Sequence, residues 1–180
     1  MPLLILIILL CGGAYDSGKG SLLICKNASI SLFSEAPLEN IEAHSSAGVS
    51  VLNPATGEIQ FTVPIRSFEF RKKLMQEHFN ENYMESDKYP HAKFKGKFIE
   101  EINLEKDGEY PVTVTGDLEV HGIRRPRTVK GIMIIRNKKI SLNSAFDVKC
   151  QDHKIKIPQI VFQKIAETIR VKVNGSYSVQ

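Results

Sequence analysis

A period-two alternation of apolar and polar residues runs through most of this sequence. From 112 to 120, Val112, Val114, Gly116, Leu118 and Val120 stand opposite Thr113, Thr115, Asp117 and Glu119. Successive side chains of a strand point to opposite faces, so such a run is a strand with one apolar and one wet face. The pattern recurs in Ile59, Phe61, Val63 and Ile65, in Leu142, Ser144, Phe146 and Val148, and in Ile169, Val171, Val173, Gly175, Tyr177 and Val179. From 92 to 98, Lys93, Lys95 and Lys97 alternate with Phe94 and Phe98. Strands of this kind must protect their edges, and closure into a barrel removes the edges altogether. The reading is an all-β protein, an extended antiparallel β-barrel of about eight strands.

Turn chemistry divides the strands. Asn53-Pro54-Ala55-Thr56-Gly57 joins a proline that fixes one dihedral to a glycine that permits a positive one, which implies a hairpin. Residues 21–33 read as two short extended pieces around Lys26-Asn27, Pro37-Leu38-Glu39-Asn40 as a turn, and Lys106-Asp107-Gly108 and Asn137-Lys138-Lys139 as further turns. Residues 121–126 make another connection. Residues 129–136 are apolar on both faces, which hides the side that points inward.

One stretch breaks the alternation. Phe70, Leu74, Met75, Phe79 and Tyr83 fall mostly at three- or four-residue steps, the spacing of an amphipathic helix, so a short helical crossing is expected near residues 67–85. Ser86 to Pro90 ends it, since the residue before a proline is biased to extended structure. A helical turn is expected at residues 159–167.

Length and charge set the bounds. One hundred and eighty residues, 42% hydrophobic, fit one globular domain. The formal net charge is +4, but both signs are interleaved, so no nucleic-acid footprint is expected. Arg124, Arg125, Arg127 and Lys130, with a glycine before and a proline within, read as a solvated turn. Residues 2–10 are almost purely Leu and Ile and lead into Cys11-Gly12-Gly13-Ala14, which fits a secretory signal over residues 1–14 ahead of a domain spanning 15–180. Cys11 as a lipoprotein anchor and a buried N-terminal strand are the alternatives. Cys25 and Cys150 then remain, either as a disulfide or as two isolated buried thiols.

Catalytic and metal signals are weak. His44, His78, His91, His121 and His153 form no His-x-x-x-His pair, and no Gly-x-Ser-x-Gly or Cys-x-x-Cys spacing occurs. No catalytic residue, metal or cofactor is expected, although a hydrolase or metal site using His78 or His121 at a barrel mouth remains the contrasting reading. Gly96, Gly116 and Gly175 on inward faces fit either a cavity or tight strand curvature. A barrel filled by its own side chains, with a structural or interaction role, is the third reading.

Several separated motifs share one resemblance. His78-Phe79-Asn80-Glu81-Asn82-Tyr83-Met84, then Ser86-Asp87-Lys88-Tyr89-Pro90 and Phe94-Lys95-Gly96, then Gly116-Asp117-Leu118 with His121-Gly122-Ile123, and finally Ile155-Lys156-Ile157-Pro158 before Lys164-Ile165-Ala166-Glu167 resemble the YceI-like family, in the family's order, from near Gly18 to the C-terminus. The resemblance implies a lipocalin-like barrel, periplasmic or secreted, that holds a polyisoprenoid or isoprenoid quinone as its partner. Burial of such a tail is worth roughly 25 cal/mol per Å², so a tunnel of apolar side chains binds it without specific polar contacts. The expected lining is Phe61, Val63, Phe94, Phe98, Val114, Leu118, Val120, Phe146, Val171 and Val173, with Phe79 and Tyr83 covering one mouth. Transient membrane contact and a homodimer are compatible with that reading.

Overall fold

A computed structural model describes residues 21–35, 40–101, 103–157 and 166–179. The strands are β1 (Leu23–Ser34), β2 (Ile41–Asn53), β3 (Glu58–Pro64), β4 (Glu69–Phe70), β5 (His91–Phe98), β6 (Gly108–Val120), β7 (Ile123–Arg136), β8 (Lys139–Lys149) and β9 (Thr168–Val179). They form one sheet in the order β1-β9-β8-β7-β6-β5-β3-β2, and β1 pairs with β2 to close it. Eight strands therefore make an antiparallel barrel, and the two-residue β4 adds to the side of β2 through Ala43↔Phe70. The expected all-β barrel is present.

The helical crossing is also present. It consists of a single 3₁₀ turn (Ile65–Ser67), β4, the helix α1 (Lys73–His78) and a π-helical turn (Phe79–Tyr83). The expected signal segment over residues 1–14, with Cys11, lies outside the described residues. So do the turn at Pro37 to Glu39 and most of the helical turn expected at 159–167, of which only Ala166 and Glu167 are described, without helix.

Three local expectations are corrected. Residues 21–33 are not two pieces: β1 is continuous, and register shifts between Cys25 and Ala28 and between Ala28 and Ile30 absorb the polar Lys26-Asn27 as bulges. Lys106-Asp107-Gly108 is not the turn itself. The chain turns at residues 104–106, where Asn103 Oδ1 accepts from the Glu105 amide at 2.9 Å, and Gly108 already belongs to β6. The basic run is not a solvated turn either. His121 and Gly122, both at positive φ (52° and 69°), complete the hairpin alone, and Arg124, Arg125, Pro126 and Arg127 lie in β7 opposite β6. Pro126 is tolerated there because β7 pairs with β8 only from Gly131↔Ser144 onward, which leaves its other edge without a ladder at that point.

Residues 129–136, apolar on both faces, are resolved by their neighbours. Met133 and Ile135 are buried inside, whereas Ile132 is 47% exposed. With Leu23, Leu52, Ile59, Phe98, Val112, Ile140 and Tyr177 they pack one end of the barrel solid. Ser50 Oγ donates to the Gln60 carbonyl at 2.9 Å, so the Tyr177 hydroxyl 2.8 Å away donates to Ser50 and leaves no polar group unpaired in this floor. Cys25 belongs to the same floor, and Cys150 directly follows β8 at the opposite end of the barrel. The β8–β9 register, from Ile140↔Tyr177 to Lys149↔Thr168, separates these ends by roughly 30 Å at strand rise. Both thiols are buried and free, which settles that alternative against a disulfide.

Candidate functional site

Above the packed floor the barrel is hollow. A cavity of about 250 Å³ extends from Ile59, Val112 and Tyr177 at the floor to Phe79, Tyr83, Val120 and Ile155 near the helical crossing. Its wall comes from the inward positions of the barrel strands, because every second residue of each must point there. Phe61, Val63, Phe94, Val114, Leu118, Val120, Phe146, Val171 and Val173 all line it, with Phe79 and Tyr83 at the crossing. Phe98 does not line the cavity. It lies further along the same face of β5, 8% exposed, where the interior is already filled by the floor cluster.

Other lining residues were not among those expected. Ile30 and Leu32 of β1 and Ala43 of β2 contribute, as do Phe68 and Phe70 before α1, Met75 and Met84 of the crossing, and Val129 and Gly131 of β7. The alternation of Ile30 and Leu32 and the helical spacing of Met75 carried this signal. Val129 did not, because its neighbours are apolar on both faces.

The glycines divide between the two explanations. Gly175 lines the cavity; Gly131 does so too, although its Cβ would stand 2.6 Å from the Asn143 carbonyl oxygen, and Gly96 and Gly116 face each other across β5 and β6. A Cβ on Gly116 would lie 2.1 Å from the Lys95 carbonyl oxygen and 2.4 Å from Gly96 Cα. These two are required by close strand approach, and Gly175 by neither conflict, its nearest neighbour being Cys25 Sγ at 3.3 Å.

The two serine hydroxyls on the wall are engaged by backbone groups. Ser144 Oγ donates to the Lys130 carbonyl at 2.7 Å, and Ser34 Oγ accepts from the Ala166 amide at 2.8 Å. Burial pushes the Tyr83 phenol above its ordinary pKa, so it stays neutral. The wall offers dispersion contacts and water exclusion.

Two elements close the upper end and are tied to each other. Residues 123–130 of β7 and 145–149 of β8 do not pair, and the 3₁₀ turn Cys150–His153 with the segment after it spans that gap, bringing Ile155 and Ile157 to the cavity. Arg125 Nε donates to the Asp152 carbonyl at 2.9 Å, and His153 Nδ1 donates to the Ile123 carbonyl at 3.0 Å. His121 Nδ1 donates to the His153 carbonyl at 3.1 Å while its Nε2 meets Glu85 Oε2 at 2.6 Å, linking this strap to the end of the helical crossing. Tyr89 packs edge-on against His121, with centroids 4.6 Å apart. His121 and His153 thus converge, and the contacts of both rings hold the strap and the crossing in place. Among the described residues, no group of three or more His, Cys, Asp or Glu side chains is placed to hold a metal ion.

A model of the YceI-like domain matches residues 35–177. The chain belongs to the YceI-like family. Its barrel is similar to that of a polyisoprenoid binding domain from Saccharophagus degradans implicated in plant cell wall breakdown, at 12% identity and a TM-score of 0.76, covering 89% of this chain and 99% of that one. It is similar to BcnA of Burkholderia cenocepacia at 16% identity and a TM-score of 0.71, covering 84% and 96%. The YCEI protein of Campylobacter jejuni matches at 15% identity and a TM-score of 0.61, covering 81% and 88%. At these identities the YceI-like neighbours establish the fold. Among curated proteins none matches.

Proposed function

We propose that this barrel binds a long-chain isoprenoid lipid, a polyisoprenoid or the tail of an isoprenoid quinone, as a periplasmic or secreted carrier or reservoir. The observation that carries the reading is the cavity: apolar wall, packed floor, and the Ser34 and Ser144 hydroxyls already engaged by backbone groups. An apolar chain entering it leaves water at roughly 0.8 kcal/mol per buried CH₂ and forfeits no hydrogen bond. A hydrophilic ligand would find few partners there and would lose its own hydration. The polyisoprenoid-binding description of the Saccharophagus degradans domain supports the same class of ligand, and the apolar stretch at residues 2–10 supports export. Binding, with no chemical step, is what such a wall provides. The barrel needs no cofactor beyond the bound lipid.

Native mass spectrometry with organic extraction tests this, on protein purified without detergent. The expected result is a one-to-one adduct that releases an isoprenoid or quinone. A bare mass, together with failure of added isoprenoid quinones to bind, refutes it.

A further inference from the structure

The helical crossing has two faces. Met75, Phe79 and Tyr83 turn to the cavity, and Phe79 is fixed there by the rings of Phe68 and Phe70, at centroid distances of 5.7 and 4.9 Å. The outer side begins with four consecutive exposed residues, Arg71, Lys72, Lys73 and Leu74. Leu74 keeps 63% of its surface in water. No side chain caps the start of α1 and no acidic residue lies in its first turn, so the helix begins among cations that its own dipole disfavours.

Both features become favourable against a surface that is anionic outside and apolar beneath. A bilayer containing anionic lipid is such a surface: the cations meet headgroups and Leu74 enters the acyl boundary. A folded protein partner is a poorer match. One leucine and a short basic run present far less than the roughly 800 Å² per side of a stable protein interface. Glu69 and Glu77 flank the run, so the attraction is local and sensitive to salt.

We propose that the helical end of the barrel docks on anionic membranes through Arg71, Lys73 and Leu74, presenting the cavity end beside Met75 to the bilayer. Its purpose, lipid exchange, rests on the cargo reading above; the docking itself does not.

The chain contains no tryptophan, so a single one reports its own surroundings. Leu74→Trp and Ile99→Trp place the probe at 63% and 64% exposed positions, one on α1 and one in the β5–β6 connection at the floor end. Vesicles of phosphatidylcholine, with and without phosphatidylglycerol, are added to the full chain. The emission of Leu74→Trp is expected to shift to the blue with phosphatidylglycerol vesicles only, and that of Ile99→Trp to stay unchanged. In the Leu74→Trp background, the pair Arg71→Gln and Lys73→Gln is expected to weaken this binding by about 30-fold, roughly fivefold per basic residue. Absence of the shift, an equal shift from Ile99→Trp, or undiminished binding after both charge removals overturns the proposal. Cargo stoichiometry on the same variants separates the two readings: cargo without docking refutes only the membrane contact, and docking without cargo refutes only the ligand.

Discussion

Replacing Gly116 by alanine tests how tightly β5 and β6 approach. Neither Gly116 nor its partner Gly96 needs a positive φ, so alanine has no backbone conflict and the cost is steric. The new Cβ would stand 2.1 Å from the Lys95 carbonyl oxygen, about 0.9 Å short of the 3.0 Å below which real Cβ contacts essentially never fall. Both obstructing groups are backbone, so the strands must part. Opening by about 0.9 Å carries N–H···O bonds of ordinary length beyond hydrogen-bonding distance. Loss of two ladder bonds costs about 1–3 kcal/mol, and restriction of the unfolded chain returns about 0.4–1 kcal/mol. The expected net loss is roughly 1.3 kcal/mol, a fall of about 3–5 °C in Tm for a domain of this size. Gly175→Ala is the matched control, since its Cβ finds only Cys25 Sγ at 3.3 Å and two carbons at 3.6 and 3.8 Å. It should stay within about 1 kcal/mol of the parent. Urea unfolding followed by circular dichroism measures both. A Gly116→Ala midpoint equal to the parent's, or a Gly175→Ala loss as large, would refute the close-approach account.

Three further outcomes are expected. His153 is fully buried, and desolvation is the largest influence holding its pKa below the ordinary value, against smaller opposing ones such as its bond to the Ile123 carbonyl. The folded state therefore keeps the ring neutral while the unfolded chain takes up a proton below about pH 6.5, so its contribution is full above that pH and falls by up to about 1.4 kcal/mol per unit as the pH drops toward the folded value. His153→Asn should flatten the Tm profile between pH 6.5 and 5, and an unchanged slope refutes the assignment. In the floor, Tyr177→Phe removes one donor from Ser50 and should cost about 1 kcal/mol, whereas Ser50→Ala leaves the Tyr177 hydroxyl buried without an acceptor and should cost more, about 1–3 kcal/mol; the reverse order of urea midpoints contradicts the donor assignment. Burial, with the Glu167 charge adding to it, pushes the Cys150 thiol up to about 11, so at pH 8 the thiolate is on the order of one part in a thousand. Iodoacetamide should leave Cys150 unlabelled by peptide mass spectrometry until urea is added; rapid native labelling would show the strap opening or the thiol exposed.

Much of the fold was legible because a strand's side-chain direction is decided locally. The alternation from 112 to 120 and from 92 to 98 appears unchanged in β6 and β5, and most of the expected lining residues stand on the cavity wall. The turn at Asn53 is formed as read, its amide oxygen accepting from Ala55 and Thr56, with Gly57 at φ 69°. Where alternation was absent, as at Val129, nothing in the residues themselves marked the inward side. Arg124 to Arg127 look like a turn by composition, yet two residues suffice for the hairpin, and the unpaired edge that admits Pro126 is a property of how β7 and β8 diverge.

By itself the sequence determined which segments are strands, which face of each is apolar, and that one amphipathic crossing interrupts them, because these follow from residue spacing within a few positions. Only the tertiary structure decided where the interior is full and where it is empty. Phe94 and Phe98 share one face of β5, and one lines the cavity while the other packs the floor. Gly116 and Gly175 look alike in the chain, and one admits a neighbouring strand while the other lies on the cavity wall with only side chains near it. The reason is the same in both cases: packing depends on what the other strands bring across the barrel, and those partners are set by ring closure and register, which no local spacing contains.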